Sequence, residues 1–285
     1  MRICIHTVIL NELDEYLKSW LDHHTKMVDH IFIFEDIGSH SHKHITDQYD
    51  NVTLWSILDL YETEDSKKRL FEHKQKKHIM QDKYILLGVS KIQELNKYDW
   101  CFCLDIDEYI TLQEPYKAIS DVLEEFQDYD AVIIQWMNLG ANGRIYKPDY
   151  GNKDYRDFYT KRVDFSNWDA SVKAYTKICY NLNKATKWHL FGVHCCPGNW
   201  VRTDFSRNRK TIVYDKMYLK HYITKSWEEY LWKIYKRGMH CANHRKDKDF
   251  FEINKDMLNK YDECMKFKEE YFKKHNIKII KEKIL

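Results

Sequence analysis

A chain of 285 residues, 44% of them hydrophobic, has the apolar mass for one large domain, alone or with appendages. Its 46 basic and 44 acidic side chains leave a net charge of +2, which argues against a dedicated nucleic-acid binder with its strong basic excess. No run nears the roughly 20 apolar residues of a membrane span, no signal peptide is visible in the short apolar run 3–10, and the eight cysteines show no Cys-x-x-Cys spacing; the expectation is a reduced, cytoplasmic protein.

The chain opens on a continuous apolar run, 2–10, which predicts a strand buried on both faces. Asn11 is placed to cap a helix over 12–25, where Leu13, Leu17, Trp20, Leu21 and His24 follow helical spacing. Residues 28–34 predict a second strand, completing a β–α–β unit and hence parallel pairing. A third strand is expected at 52–58. The stretch 67–95 has few breakers, and Ile85, Val89, Ile92 and Leu95 share one helix face. Further strands are expected at 100–106, 131–136, 172–180 and 217–223. From Ser226 the chain turns helical, and 247–285 is charged and amphipathic with a lysine-rich end.

The stretch 98–110 carries the chemistry. Apolar residues 100–104 run into Asp105-Ile106-Asp107-Glu108. On a continuous strand Asp105 and Asp107 would face the same side, with Glu108 opposite. Two carboxylates on one face repel each other unless a cation lies between them. Carboxylate oxygens suit Mg²⁺ or Mn²⁺, which also take substrate phosphates. A buried strand ending in Asp-x-Asp therefore predicts a metal–diphosphate site at the carboxyl edge of a sheet. The 21 tyrosines raise the aromatic content to 15%, enough to line grooves that stack on sugars. His40, His42 and His44 alternate, and we read them as a solvated loop.

These motifs, in this order, resemble GT-A-fold glycosyltransferases of the family 2-like and family 92-like kind. The resemblance is carried by Asn11-Glu12 with Trp20 to His24, by residues 28–34 with Asp36 to Ser39, by Gln81 through Trp100 to Glu108, by Trp136 with Gly140 to Gly143, and by His221 to Ser226. It implies an α/β fold: a GT-A (Rossmann-like) mixed sheet flanked by helices over 1–240, with a helical C-terminal extension over 241–285. It further implies a nucleotide-sugar donor, usually a UDP-sugar, a carbohydrate acceptor and Mn²⁺ or Mg²⁺. Asn11, Glu12, Asp36, Gln81 and Asp105 would contact the donor. Asp105, Asp107 and His221 would hold the metal, with His194 the second choice for the histidine. Where the family commonly shows Asp-Asn-Gly-Ser-Thr-Asp, this chain has Asp36-Ile37-Gly38-Ser39-His40-Ser41.

Transfer also needs a base for the acceptor hydroxyl, and Asp169, Asp157 and Glu108 are the candidates. The expected activity is an inverting hexosyl transfer to a glycan or lipid-linked acceptor, in surface polysaccharide or lipopolysaccharide synthesis. The alternatives are a catalytically inactive nucleotide-sugar binder and a two-metal phosphatase or nuclease; the latter needs more converging carboxylates than the chain offers. The basic C-terminal segment is expected to dock on a membrane surface or a partner, or to pack its apolar face on the domain.

Overall fold

The computed structural model describes residues 1–61, 63–65, 67–68, 81–163, 176–185, 198–207, 214–237 and 247–277, with the side chains of 81–83 left aside. The chain groups into two compact units, Met1–Asn138 with Ser166–His221, and Leu139–Phe165 with Tyr222–Leu285. The C-terminal helices, a separate stretch in sequence, thus share a unit with 139–165 and 222–237. Among the described residues no helix is long and apolar enough to cross a membrane.

The first unit holds a mixed sheet. Its strands are β1 (Ile3–Ile9), β2 (His30–Glu35), β3 (Val52–Ser56), β4 (Trp100–Cys103), β5 (Glu108–Leu112), β6 (Ala131–Asn138), β7 (Thr176–Asn181), β8 (Trp200–Arg202) and β9 (Met217–His221). They lie in the order β3-β2-β1-β4-β7-β6-β9-β5, and β8 pairs with β6. The β1–β2, β2–β3 and β1–β4 pairs are parallel; β7 runs antiparallel to both β4 and β6, so β6 points the same way as β4. β9 is parallel to β6, and β5 is antiparallel to β9. Consequently the C-terminal ends of β1, β2, β4, β6 and β9 and the N-terminal ends of β5 and β7 all reach one edge of the sheet. This mixed α/β sheet, flanked by helices and followed by a helical C-terminal stretch, is the architecture that the resemblance implied; the pattern of elements by itself predicted the β–α–β unit and its parallel pairing.

Helix α1 (Asp14–His24) crosses between β1 and β2, as the β–α–β spacing requires. α2 is a single turn, Lys43–Thr46. α3 (Gln81–Glu94) buries Tyr84, Ile85, Val89 and Ile92 with Phe34, Cys4, Cys101 and Cys103. Leu95, expected on that face, lies beyond the helix and is exposed. α4 spans Ile119–Leu123.

Two expectations need correction. Asn11 is not the cap of α1: the N-cap is Leu13, and Asn11 sits at φ 47°. Asparagine tolerates this left-handed conformation. Its N–H donates to Ser39 Oγ (2.9 Å) and its Oδ1 accepts from the His40 N–H (3.0 Å), so it ties the end of β1 to the loop after β2. The strand expected over 100–106 ends at Cys103, and a turn leads directly into β5 at Glu108. Alternation therefore does not govern Asp105, Asp107 and Glu108.

In the second unit α5 (Trp227–Trp232) starts from a capping box on Ser226 and Glu229. Its Trp227, Tyr230 and Leu231 share a core with Phe250 and Phe251 of α6 (Asp247–Ile253) and with Cys264, Tyr271 and Phe272 of α7 (Tyr261–Lys274). A Cβ on Gly140 would fall 2.4 Å from Val163 and 2.5 Å from Asn254 Oδ1, so the chain there passes too close for a side chain.

Candidate functional site

At the shared sheet edge the strand register places Glu108 of β5 opposite His221 of β9, and His221 beside Asn138 of β6. Side chains at paired positions share a face, so the three form a row. Asp107, on the turn just before β5, joins them. Asp107, Glu108 and His221 each offer a ligand atom within 4.8 Å of the others. All three are buried, at 8%, 0% and 4% exposure.

The imidazole has a set orientation. His221 Nδ1 lies 3.0 Å from Asn138 Oδ1, so Nδ1 carries the proton and donates it to the amide oxygen. In the neutral ring Nε2 then keeps the lone pair, and it lies 3.6 Å from Asp107 Oδ1. This is how a metal-binding histidine is commonly held, its other nitrogen donating to an outer partner. The Trp136 ring packs against the imidazole at 4.3 Å.

Glu108 is held at both ends. Its Oε2 accepts from the Asp105 N–H (3.0 Å), and its main-chain carbonyl accepts from Trp20 Nε1 (2.9 Å). Oε1 is buried and accepts no hydrogen bond among the described residues. Burial pushes the Glu108 carboxyl well above its ordinary value; Lys177 opposes that rise, and the neighbouring Asp105 and Asp107 reinforce it. A buried carboxylate oxygen lacking a donor, beside a second carboxylate and an imidazole lone pair, fits a divalent cation. Two oxygens and one nitrogen suit Mn²⁺ better than Mg²⁺, which prefers oxygen throughout.

Asp105 lies differently. Its Oδ2 is 2.8 Å from Lys177 Nζ, and the same Nζ is 3.6 Å from Glu108 Oε1. Burial raises the Asp105 carboxyl, but Lys177 outweighs it and holds the group below its ordinary value. For the ammonium, burial works against the charge while Asp105 and Glu108 raise its pKa above the usual lysine value. Sequence reasoning missed Lys177 and Asn138. A lone lysine inside the strand 176–181, whose other described positions are apolar or small and polar, is the signal for the first; nothing in sequence singles out the second.

The remaining candidates are spread along the same edge or away from it. Asn11 and Glu12 follow β1, and Asp36 follows β2, buried with its Oδ1 accepting from the Ile37 N–H (2.6 Å). Gln81 begins α3. Asp157 is exposed on a 3-10 turn of the second unit. Asp169 and His194 lie outside the described residues. His40, His42 and His44 are not uniformly a solvated loop: His40 and His44 are exposed, but His42 is buried. Its Nδ1 lies 2.8 Å from Glu35 Oε1 and its Nε2 3.0 Å from the Glu12 carbonyl. Asp14, His40 and His42 also bring ligand atoms within 4.8 Å, but both nitrogens of His42 are thus engaged.

No protein-family model and no curated protein matches the chain. Among solved structures it is similar to 4-diphosphocytidyl-2C-methyl-D-erythritol synthase, with 12% identity, a TM-score of 0.35, and 64% of this chain and 75% of that one covered. It is similar to the galactosyltransferase LgtC in complex with donor and acceptor sugar analogues, with 12% identity, a TM-score of 0.31, and 79% and 89% covered. A proposed nucleotide-diphospho-sugar transferase from Desulfovibrio desulfuricans G20 matches at 11% identity and a TM-score of 0.30, with 70% and 72% covered. These are loose likenesses.

Proposed function

We propose that the chain is a metal-dependent glycosyltransferase of the GT-A kind, moving a sugar from a nucleotide-sugar, a UDP-sugar by preference, to a glycan or lipid-linked acceptor with inversion. The observation that carries this reading is the convergence of Asp107, Glu108 and His221 at the edge where the parallel strands end. Open α/β sheets bind ligands at that edge. Asn11, Glu12 and Asp36, at the ends of β1 and β2, are proposed to hold the nucleotide. Asp107, Glu108 and His221 would hold Mn²⁺, which when bound supplies Lewis-acid stabilisation of a diphosphate leaving group. Asn138 fixes the His221 ring for that role. Because Glu108 is fully buried within the ligand group, we assign it to the metal rather than to deprotonation of the acceptor.

The test is a thermal-shift measurement with UDP and Mn²⁺, separately and together, followed by turnover of a panel of UDP-sugars. Stabilisation that requires both, with turnover lost in chelator, supports the reading. Full activity in chelator overturns it. Joint stabilisation without any turnover identifies a nucleotide-sugar-binding protein instead.

A further inference from the structure

Lys177, like its neighbour Asp105, is a charged residue of this region that the proposed chemistry leaves without a role. It stands at the start of β7, which runs antiparallel to its neighbours and so delivers the side chain to the edge where Asp105, Asp107 and Glu108 meet. Its side chain is 0% exposed, and its Nζ is 6.0 Å from the centre of the Trp136 ring. An ammonium in such a place is costly unless it is paired. The partner it meets at contact distance is Asp105, at 2.8 Å; Glu108 is farther, at 3.6 Å. Asp105 is also absent from the group of ligand atoms that Asp107, Glu108 and His221 bring together.

We infer that Lys177 is a positioning residue that withholds Asp105 from the metal, leaving Asp107, Glu108 and His221 as the protein's ligand set. This rests on the reading of that cluster as a divalent-metal site. Two observations favour it over a lysine that merely fills space. An apolar side chain would fill the same volume beside Trp136 without the cost of burying a charge. Geometry also points this way: the ammonium lies nearer to Asp105 (2.8 Å) than to Glu108 (3.6 Å), and Asp105 is the acid of the run that stands outside the Asp107, Glu108 and His221 group. Without the ammonium a third carboxylate would compete for the ion, and a repelling positive charge would be gone. Lys177 thus selects which acids of the Asp-x-Asp-Glu run meet the metal, a choice the run itself does not make.

The experiment uses the full chain and Mn²⁺ alone, read by the loss of the aqueous Mn²⁺ paramagnetic resonance signal, with melting temperature as a folding control. Asp105→Asn keeps the lysine and is expected to bind Mn²⁺ within about fivefold of the native protein, whereas Asp107→Asn loses about 10- to 100-fold. Lys177→Met is expected to bind about tenfold more tightly, through a lost repulsion and a released carboxylate. The double variant Lys177→Met with Asp105→Asn should return towards native affinity. Loss of Mn²⁺ binding in Asp105→Asn as deep as in Asp107→Asn makes Asp105 a ligand and overturns the inference. Weakened binding in Lys177→Met overturns it as well. If Lys177→Met does not fold, the two aspartate variants still decide. Native protein that binds no Mn²⁺ removes the metal site itself, and the inference with it. The expected binding pattern without sugar transfer leaves the inference standing and the transferase reading overturned.

Discussion

His6 shows what burial does to one titratable side chain. It lies in β1 at 1% exposure, its ring stacked on Phe34 at 4.8 Å. Burial lowers its pKa to about 3, and the nearby positive charge of Lys177 adds to the effect. An unfolded histidine takes up a proton near pH 6.5, and the folded one does so only near pH 3. The penalty is absent above about pH 6.5 and grows as pH falls towards 3, at up to about 1.4 kcal/mol per pH unit. His6→Leu is therefore expected to flatten the fall of the urea midpoint below about pH 6.5, and an unchanged slope would assign that fall to other groups. Asn138 acts through its hydrogen bond to His221. Asn138→Ala removes the acceptor that orients His221; Mn²⁺ affinity is expected to drop about 10- to 100-fold, and the buried Nδ1–H left without its partner to lower stability by about 1–3 kcal/mol. An affinity equal to that of the native protein would show that the ring needs no such partner.

At the scale of elements, α1 serves as a brace for an edge strand. Among the described residues β5 ends the sheet, and one side of its backbone faces no described strand. Side chains of α1 take the place of a neighbour. Trp20 Nε1 donates to the Glu108 carbonyl, the Ile110 N–H donates to His24 Nε2 (3.2 Å), and His23 Nε2 lies 2.9 Å from the Ile110 carbonyl. Ser19 Oγ and Tyr109 OH add a further link at 3.1 Å. The Trp20 to His24 run is thus a set of hydrogen-bonding groups aimed at the strand that carries Glu108. Trp20→Phe strips a buried carbonyl of its donor and is expected to cost about 1–3 kcal/mol in urea unfolding. A second test lies in α3, where Gly88 occupies a helix interior that ordinarily favours alanine by about 1 kcal/mol. Here a Cβ would meet His6 Nε2 at 2.1 Å and Phe34 at 3.2 Å. Gly88→Ala is expected to destabilise by about 1–3 kcal/mol, and pairing it with His6→Ala should recover part of the loss. A stabilised single variant would show that His6 moves aside.

Over the whole molecule the C-terminal stretch is part of a core. Phe250, Phe251, Met257, Cys264, Tyr271 and Phe272 pack with Trp227 and Tyr230, and Trp227 Nε1 donates to the Cys264 carbonyl (2.9 Å). Trp227→Ala is expected to cost about 3–5 kcal/mol, measured as a loss of the second unit's cooperative unfolding. Removing 247–285 would take this core apart, so truncation does not isolate a membrane function. Contact with anionic lipid, a proposal made from composition, would fall on exposed lysines such as Lys266, Lys273 and Lys274, at about 1 kcal/mol each near the surface. Vesicle co-sedimentation of the full chain is expected to be weak and to vanish at about 0.5 M salt. Binding that survives such salt would indicate an apolar contact, for which Leu258 and Tyr261 are exposed.

Order and type of most elements were legible in the sequence because they are local, but the short strands β5 and β8 were not expected. Apolar runs over 2–10, 28–34 and 131–136 mark the strands found at 3–9, 30–35 and 131–138, and helical spacing over 12–25 marks the helix found at 14–24, since burial repeats along a strand or helix with the period of its own backbone. Asp105, Asp107, Glu108 and His221 were likewise singled out in the sequence as candidate site residues, and the structure brings three of them, Asp107, Glu108 and His221, together. Their partnership was not legible. A turn after Cys103 cancels the alternation on which the face of each acid depends, and hydrogen bonds across one or two residues decide such a turn. Asn138 reaches His221 across 83 positions, and Lys177 reaches Asp105 from another strand. Such pairs are fixed by strand order and register, which follow from the packing of the whole sheet and leave no local period in the chain.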